Sequence, residues 1–288
     1  MEHFFKGVDG VTDTVPGYAN GLTPDPTYAQ VYTDTTGYAE TVEVSYDDTR
    51  VSLRELAEYF FCIIDPLSLN RQGGDLGTRY RTGVYYESES DLWTLGEVFD
   101  AVGARLGGGV VTELRPLECF YPAEEYHRDY LDKNAGGYCH VPLKAFRYLR
   151  LYQDLKLLLG GDGDTVARMA QACALIQERM RFFWTGFYRV DGDTLLLGPF
   201  QGPSACLRIA FGRGVCGSAW QQRRTLVVPD VEEFPGHIAC SALSRSEIVV
   251  PVYDGGGDVT AVLDIDSTEK GTFDATDAQW LEKIVTLI

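Results

Sequence analysis

Apolar residues recur along this chain with two different periods, and the change of period divides it. Ala39 to Tyr46 (AETVEVSY) alternates apolar and polar positions, which predicts a half-buried strand. Ser52 then opens a helix, with Glu55 three residues on as its capping box and Leu56, Phe60 and Ile63 as its apolar stripe. Arg79 to Tyr86 reads as another strand, and Asp91 to Leu106 as a helix weakened by its glycines. A break falls between about 145 and 165. There a helical stretch, Leu149 to Leu159, runs into Gly160-Gly161-Asp162-Gly163-Asp164, and consecutive glycines mark a turn or linker. A helix from Thr165 to about Met180 follows. Strands then dominate, at Thr185–Val190, Thr194–Leu197, Thr225–Val228, Glu247–Tyr253 and Val259–Asp266. The last two flank Asp254-Gly255-Gly256-Gly257-Asp258, a hairpin signal, and Asp274 caps a final helix carrying Trp280, Leu281, Ile284 and Val285. The expectation is an α+β chain of two domains, 1–146 and 147–288, the second built on an antiparallel sheet with flanking helices.

Composition narrows the function classes. Hydrophobic residues make up 45% of the 288, enough for real cores, and no apolar run approaches the roughly 20 residues of a membrane span. No signal segment opens the chain, so a cytoplasmic location is expected. A formal charge of −17 repels phosphate backbones and makes nucleic acid and membrane poor partners. The seven cysteines are odd in number and lack the Cys-x-x-Cys spacing of a structural zinc site, which leaves buried thiols or redox chemistry. No metal or cofactor is called for. Cys62, on the apolar face of a helix, reads as core, as do Cys119 and Cys173.

The chemistry concentrates in the second half. Cys206, Cys216 and Cys240 cluster there, with Cys216 inside Gly212-Arg213-Gly214-Val215-Cys216-Gly217 and Cys240 at the end of Gly236-His237-Ile238-Ala239-Cys240. Glycines on both sides of Cys216 suggest a loop that lets another group approach the sulfur, and Arg213 or His237 would favour a thiolate. Glu247 opens a strand, and Asp264 and Asp266 share one face of the next because side chains alternate. Carboxylates on a sheet beneath cysteines suit a small cationic or zwitterionic ligand.

These stretches, together with Phe183-Trp184-Thr185-Gly186-Phe187-Tyr188 and Leu197-Gly198-Pro199-Phe200-Gln201-Gly202, resemble the free methionine-R-sulfoxide reductases, small GAF-fold enzymes. The resemblance covers about 150 to 288. It implies that Cys240 attacks the sulfoxide sulfur, that Cys216 or Cys206 resolves the product, and that Trp184, Tyr188, Glu247, Asp264 and Asp266 line a closed pocket. The implied partners are free methionine sulfoxide and thioredoxin or a similar dithiol.

The first half resembles the peptide methionine sulfoxide reductases of the A type, which would make it an α/β sandwich acting on the S epimer, with oxidised proteins as the implied partners. The matching motifs are Gly17-Tyr18-Ala19-Asn20-Gly21, Pro26-Thr27-Tyr28, Gly37-Tyr38-Ala39-Glu40, Gln72-Gly73-Gly74-Asp75 with Gly77-Thr78-Arg79-Tyr80, and Phe120 to His140. The resemblance implies that Tyr28 and Tyr80 hydrogen-bond the sulfoxide oxygen, that Glu40 is the acid, that Asp75 polarises the site and that Cys139 is a resolving thiol. Tyr38 stands where the family usually has His. The family's nucleophile lies in a Gly-Cys-Phe-Trp-Gly segment directly before the residues matching Met1-Glu2-His3-Phe4-Phe5. The half is therefore expected to be inactive as it stands, with a Cys or selenocysteine nucleophile encoded upstream of Met1. A competing reading is a GAF ligand-sensing module joined to a scaffolding pseudoenzyme, because fold does not fix function.

Overall fold

A computed structural model describes residues 1–134, 136–161, 163–236 and 241–288 of the chain. They form two compact units, residues 1–146 and 147–288. Among the described residues no helix is long and apolar enough to cross a membrane.

The first unit runs β1 (Val11–Ala19), β2 (Ala39–Tyr46), α1 (Leu53–Phe61), β3 (Gly83–Tyr86), α2 (Glu89–Leu106), β4 (Glu113–Pro116) and β5 (Phe120–Pro122). β1 lies between β2 and β5, antiparallel to both. β3 and β4 pair in parallel, as a strand–helix–strand crossover through α2 requires. Ser52 and Ser88 cap α1 and α2, each in a capping box. The helices pack through Phe61 and Phe99, whose rings meet edge to face with centroids 4.9 Å apart. Among the described residues β2 and β3 are each paired along one edge only, and both line a cavity of about 550 Å³ walled by Val42, Val44, Leu56, Phe60, Val84 and Leu95.

The strand expected over Arg79–Tyr86 is half right. Thr78–Tyr80 is a 3-10 turn, and the strand begins only at Gly83. Gly77, at φ +137°, turns the chain, and the carboxylate of Asp34 then fixes it. Asp34 Oδ1 accepts from the Arg79 backbone at 3.1 Å, and Oδ2 pairs with the guanidinium at 2.7 Å. A local charge-assisted anchor has overridden an alternating pattern.

The second unit contains α3 (Leu143–Leu159, in the second unit from Arg147), α4 (Thr165–Met180), β6 (Trp184–Asp191), β7 (Thr194–Gln201), β8 (Arg208–Ala210), α5 (Gly214–Gln222), β9 (Leu226–Val228), β10 (Ser246–Tyr253), β11 (Val259–Ser267) and α6 (Ala275–Val285). Its six strands form one sheet in the order β8-β7-β6-β11-β10-β9, with every neighbour antiparallel. The hairpin at 254–258 is held by Asp254 Oδ1, which accepts from the backbone of Gly256 and Asp258 at 2.9 Å each. α3 and α6 pack through Tyr148, which stacks on Trp280 and donates to Asp277 Oδ1 at 2.9 Å.

The glycine-flanked stretch around Cys216, expected as a loop, begins α5 at Gly214. Gly217 serves close packing instead: a Cβ there would lie 2.5 Å from the Ala210 carbonyl oxygen.

Candidate active sites

In the second unit the sheet register assembles the site. Glu247 on β10 is opposite Asp266 on β11, and Asp266 is opposite Trp184 on β6. The three therefore form a row across adjacent strands. Asp264 sits two residues back on the same face, opposite Gly186. That glycine is what lets the indole lie flat: a Cβ on it would come within 2.3 Å of the Trp184 ring. The indole stacks on Phe200 at 5.6 Å and Tyr188 at 6.0 Å, and its Nε1 donates to the Pro203 carbonyl at 3.0 Å. Tyr188 donates to the Cys206 carbonyl at 3.1 Å, which ties the Cys206 segment to the aromatic wall.

Trp184, Tyr188, Cys216, Glu247, Asp264 and Asp266 line one cavity with Ser241 and Ser244, and no Lys, Arg or His is among the described residues lining it. Burial therefore acts unopposed by a cation. It raises the Glu247 and Asp264 carboxyls well above the usual range; repulsion from Asp264 and Asp266 adds to the rise at Glu247, and repulsion from Asp266 adds to that at Asp264, where hydrogen bonds with Cys216 and Glu247 oppose it. Asp266 is pushed up to about 6, with a hydrogen bond from Ser244 opposing the rise. Cys216 is buried, its thiol is raised by burial and then by the two carboxyls, and its Sγ lies 3.9 Å from Glu247 Oε1. Asp264 Oδ1 is buried without a hydrogen-bond partner. Cys206 is held in a disulfide, whereas Cys62, Cys119, Cys139, Cys173 and Cys216 are not disulfide-bonded. Cys240 and His237 lie outside the described residues.

In the first unit Tyr28, Glu40, Asp75 and Tyr80 line a concavity with Gln72, Arg79, His127 and His140, and Cys139 lines the adjoining recess. Glu40 projects from β2 into this concavity, in reach of water yet crowded by neighbours. The crowding raises its carboxyl to about 7, with Arg79 opposing and Asp75 assisting. Burial and then Glu40 push Tyr28 up to about 12, which keeps the phenol a donor. Glu124 anchors the wall by accepting from the Tyr28 backbone at 2.8 Å and from Tyr18 Oη at 2.7 Å. The Arg79 guanidinium lies between the rings of Tyr32 and Tyr80, 4.2 and 4.4 Å from their centroids. Burial lowers His127, and lowers His140 to about 4, so both rings are neutral near pH 7. Sequence reasoning gave no role to Arg79, His127, His140 or Glu124, although Arg79 lies in the Gly77–Tyr80 motif and the other three in the Phe120–His140 stretch that carry the resemblance.

Two further cysteines are explained by packing. Cys173 is buried on α4, with its thiol pushed up to about 12, and donates to the Pro199 carbonyl at 3.3 Å. Cys119 packs against the Tyr18, Val31 and Tyr38 cluster. Tyr38, the departure from the family's usual His, is buried and donates to the Thr23 carbonyl, with its ring lying over Gly21.

Residues 164–288 match the GAF domain family model. A GAF domain-containing protein A from Dictyostelium discoideum is 51% identical over 146 residues, half of this chain and 92% of that protein. A peptide methionine sulfoxide reductase MsrA from Clostridium acetobutylicum is 49% identical over 147 residues, 51% of this chain and 91% of that protein. Among solved structures, a free methionine-R-sulfoxide reductase from Neisseria meningitidis is 47% identical with a TM-score of 0.48, covering 49% of this chain and 84% of that one. A second model, described as peptide methionine sulfoxide reductase, matches residues 1–155, more than half of the chain, which accordingly belongs to that family and carries a GAF domain behind it.

Proposed function

We propose that the chain reduces methionine sulfoxide by thiol–disulfide chemistry, and that its GAF unit acts on free methionine-R-sulfoxide. The observation that carries this reading is a cavity with no basic side chain among its described lining residues, in which three carboxyls lie by an indole and Tyr188, the latter tied to the backbone of the disulfide-bonded Cys206. In the proposed reaction the Cys240 thiolate attacks the sulfoxide sulfur. A carboxyl that burial keeps protonated, Glu247 or Asp264, delivers its proton to the oxygen. Methionine leaves, and Cys240 carries the oxygen as a sulfenic acid. The Cys206 thiol displaces that oxygen as water and forms a disulfide, which an external dithiol such as thioredoxin reduces with two electrons. Asp266, with a value of about 6, is the carboxylate best suited to the substrate ammonium at neutral pH. Between the two resolving candidates the disulfide at Cys206 favours it. Cys216, free and raised by burial, is a poor thiolate.

For the first unit we propose binding of methionine-S-sulfoxide in peptides, with Tyr28 and Tyr80 on the oxygen and Glu40 as acid. Cys139, in the adjoining recess, is the single cysteine among the described residues lining either hollow, and the family resemblance gives it the resolving role. No turnover of the S epimer by these 288 residues is therefore expected.

Cysteine variants test the assignment. Cys240→Ser should abolish reduction of free methionine-R-sulfoxide. Cys206→Ser should release about one methionine per chain and then stall with a dithiol protein as reductant. Cys216→Ser should keep multiple turnover. Full turnover by Cys240→Ser, or a stall in Cys216→Ser with none in Cys206→Ser, would contradict these roles.

A further inference from the structure

The Cys216 thiol has no redox task in the scheme above, yet it is buried at the heart of the acidic cluster. Its Sγ, a Glu247 oxygen and an Asp264 oxygen lie within 4.8 Å of one another, and among the described residues no other three such groups converge so closely. All three side chains are more than nine-tenths buried. Asp264 Oδ1 has no hydrogen-bond partner, although it sits at the wall of the cavity. A buried carboxyl oxygen with nothing to accept from is costly unless a donor or a cation meets it. The described lining residues offer no basic side chain to do so. One thiolate and two carboxylates form a donor set for a borderline-soft divalent ion, with Zn–S near 2.3 Å and Zn–O near 2.0–2.2 Å. Donors that converge to within 4.8 Å need move by only about an ångström to reach those distances.

We propose that Cys216, Glu247 and Asp264 bind a thiophilic divalent cation of the zinc class, and that this ion and free methionine sulfoxide exclude each other. The second part rests on the function proposed above; the first does not. The ion would take the carboxyls that otherwise face the substrate, so the metal-loaded protein would be switched off.

The test uses the full chain with the Cys206 disulfide left oxidised, titrated with Cd²⁺ alone while the thiolate-to-metal charge-transfer band is followed in the ultraviolet. One tight equivalent is expected that is absent in Cys216→Ser. Glu247→Gln should weaken it at least tenfold while leaving the near-ultraviolet spectrum of the fold unchanged. An equally strong band in Cys216→Ser, or affinity unaltered in a folded Glu247→Gln, would overturn the site. Adding free methionine sulfoxide should raise the apparent Cd²⁺ dissociation constant in proportion to its concentration. A Cys216-dependent band indifferent to methionine sulfoxide would overturn the exclusion and count against Glu247 and Asp264 as the groups that meet the sulfoxide oxygen, while leaving the metal site standing.

Discussion

At the scale of single residues, both units use burial to make carboxyls hold protons they would otherwise lose. Glu40 is raised to about 7 with two opposing neighbours, Arg79 and Asp75. Arg79→Gln should raise it further and Asp75→Asn should lower it, both readable by carboxyl carbon NMR across a pH titration. No movement in either variant would remove the electrostatic account of Glu40. Asp266 makes a second case, and its consequence is for stability. Its folded value, about 6, stands above its ordinary value of 3.8, so the folded state binds the extra proton. The penalty is absent below about pH 3.8 and grows as pH rises through about 6. The displacement from 3.8 to about 6 corresponds to on the order of 3 kcal/mol. Asp266→Asn should therefore stabilise the second unit at pH 8 by up to about that amount, with little gain near pH 4, while impairing substrate binding. Denaturant unfolding at the two pH values measures this, and equal effects at both would refute it.

At the scale of elements, the positions that face the second site were legible because a strand's period is two. Asp264 and Asp266 had to share a face, and the glycine-rich hairpin put Glu247 on the adjacent strand. The strand and helix limits around Ala39–Tyr46, Ser52 and Thr165–Met180 were equally plain, since capping boxes and glycine stops are local signals. β1 was missed because Pro16 and Gly17 interrupt its pattern, and its place was decided by pairing with β2 and β5. The α5 helix was obscured by Gly212, Gly214 and Gly217: the first two take positive φ, +71° and +59°, as the chain turns into the helix, and the third answers to close packing on Ala210. The tethers from Trp184 to Pro203 and from Tyr188 to Cys206 end on backbone carbonyls, which leave no mark in the sequence. Gly186 shows how narrowly an element can fix a site. Gly186→Ala would set a Cβ 2.3 Å from the indole and 2.6 Å from Phe200 Cβ. It should cost about 1–3 kcal/mol of stability and raise the KM for free methionine sulfoxide. An unchanged KM would show that the flat indole does not shape the substrate pocket.

At the scale of the whole molecule, one chain carries two units with different answers to the same chemical problem. Each sets carboxyls of raised pKa beside aromatic side chains, Glu40 with Tyr28 and Tyr80 in one and Glu247 and Asp264 with Trp184 in the other. They differ in their sulfur: the second has Cys206 in a disulfide, whereas among the described residues the first has Cys139, outside any disulfide, as the one cysteine beside its concavity. All turnover by these 288 residues is thus expected from the GAF unit, with selectivity for both epimer and substrate size. The most direct check is chiral chromatography of racemic free methionine sulfoxide incubated with the full chain and a dithiol, beside a parallel incubation with the N-acetylated, C-amidated substrate. The R epimer of the free amino acid should disappear while its S epimer and both capped epimers persist. Loss of the S epimer, or equal rates on the capped substrate, would contradict the account.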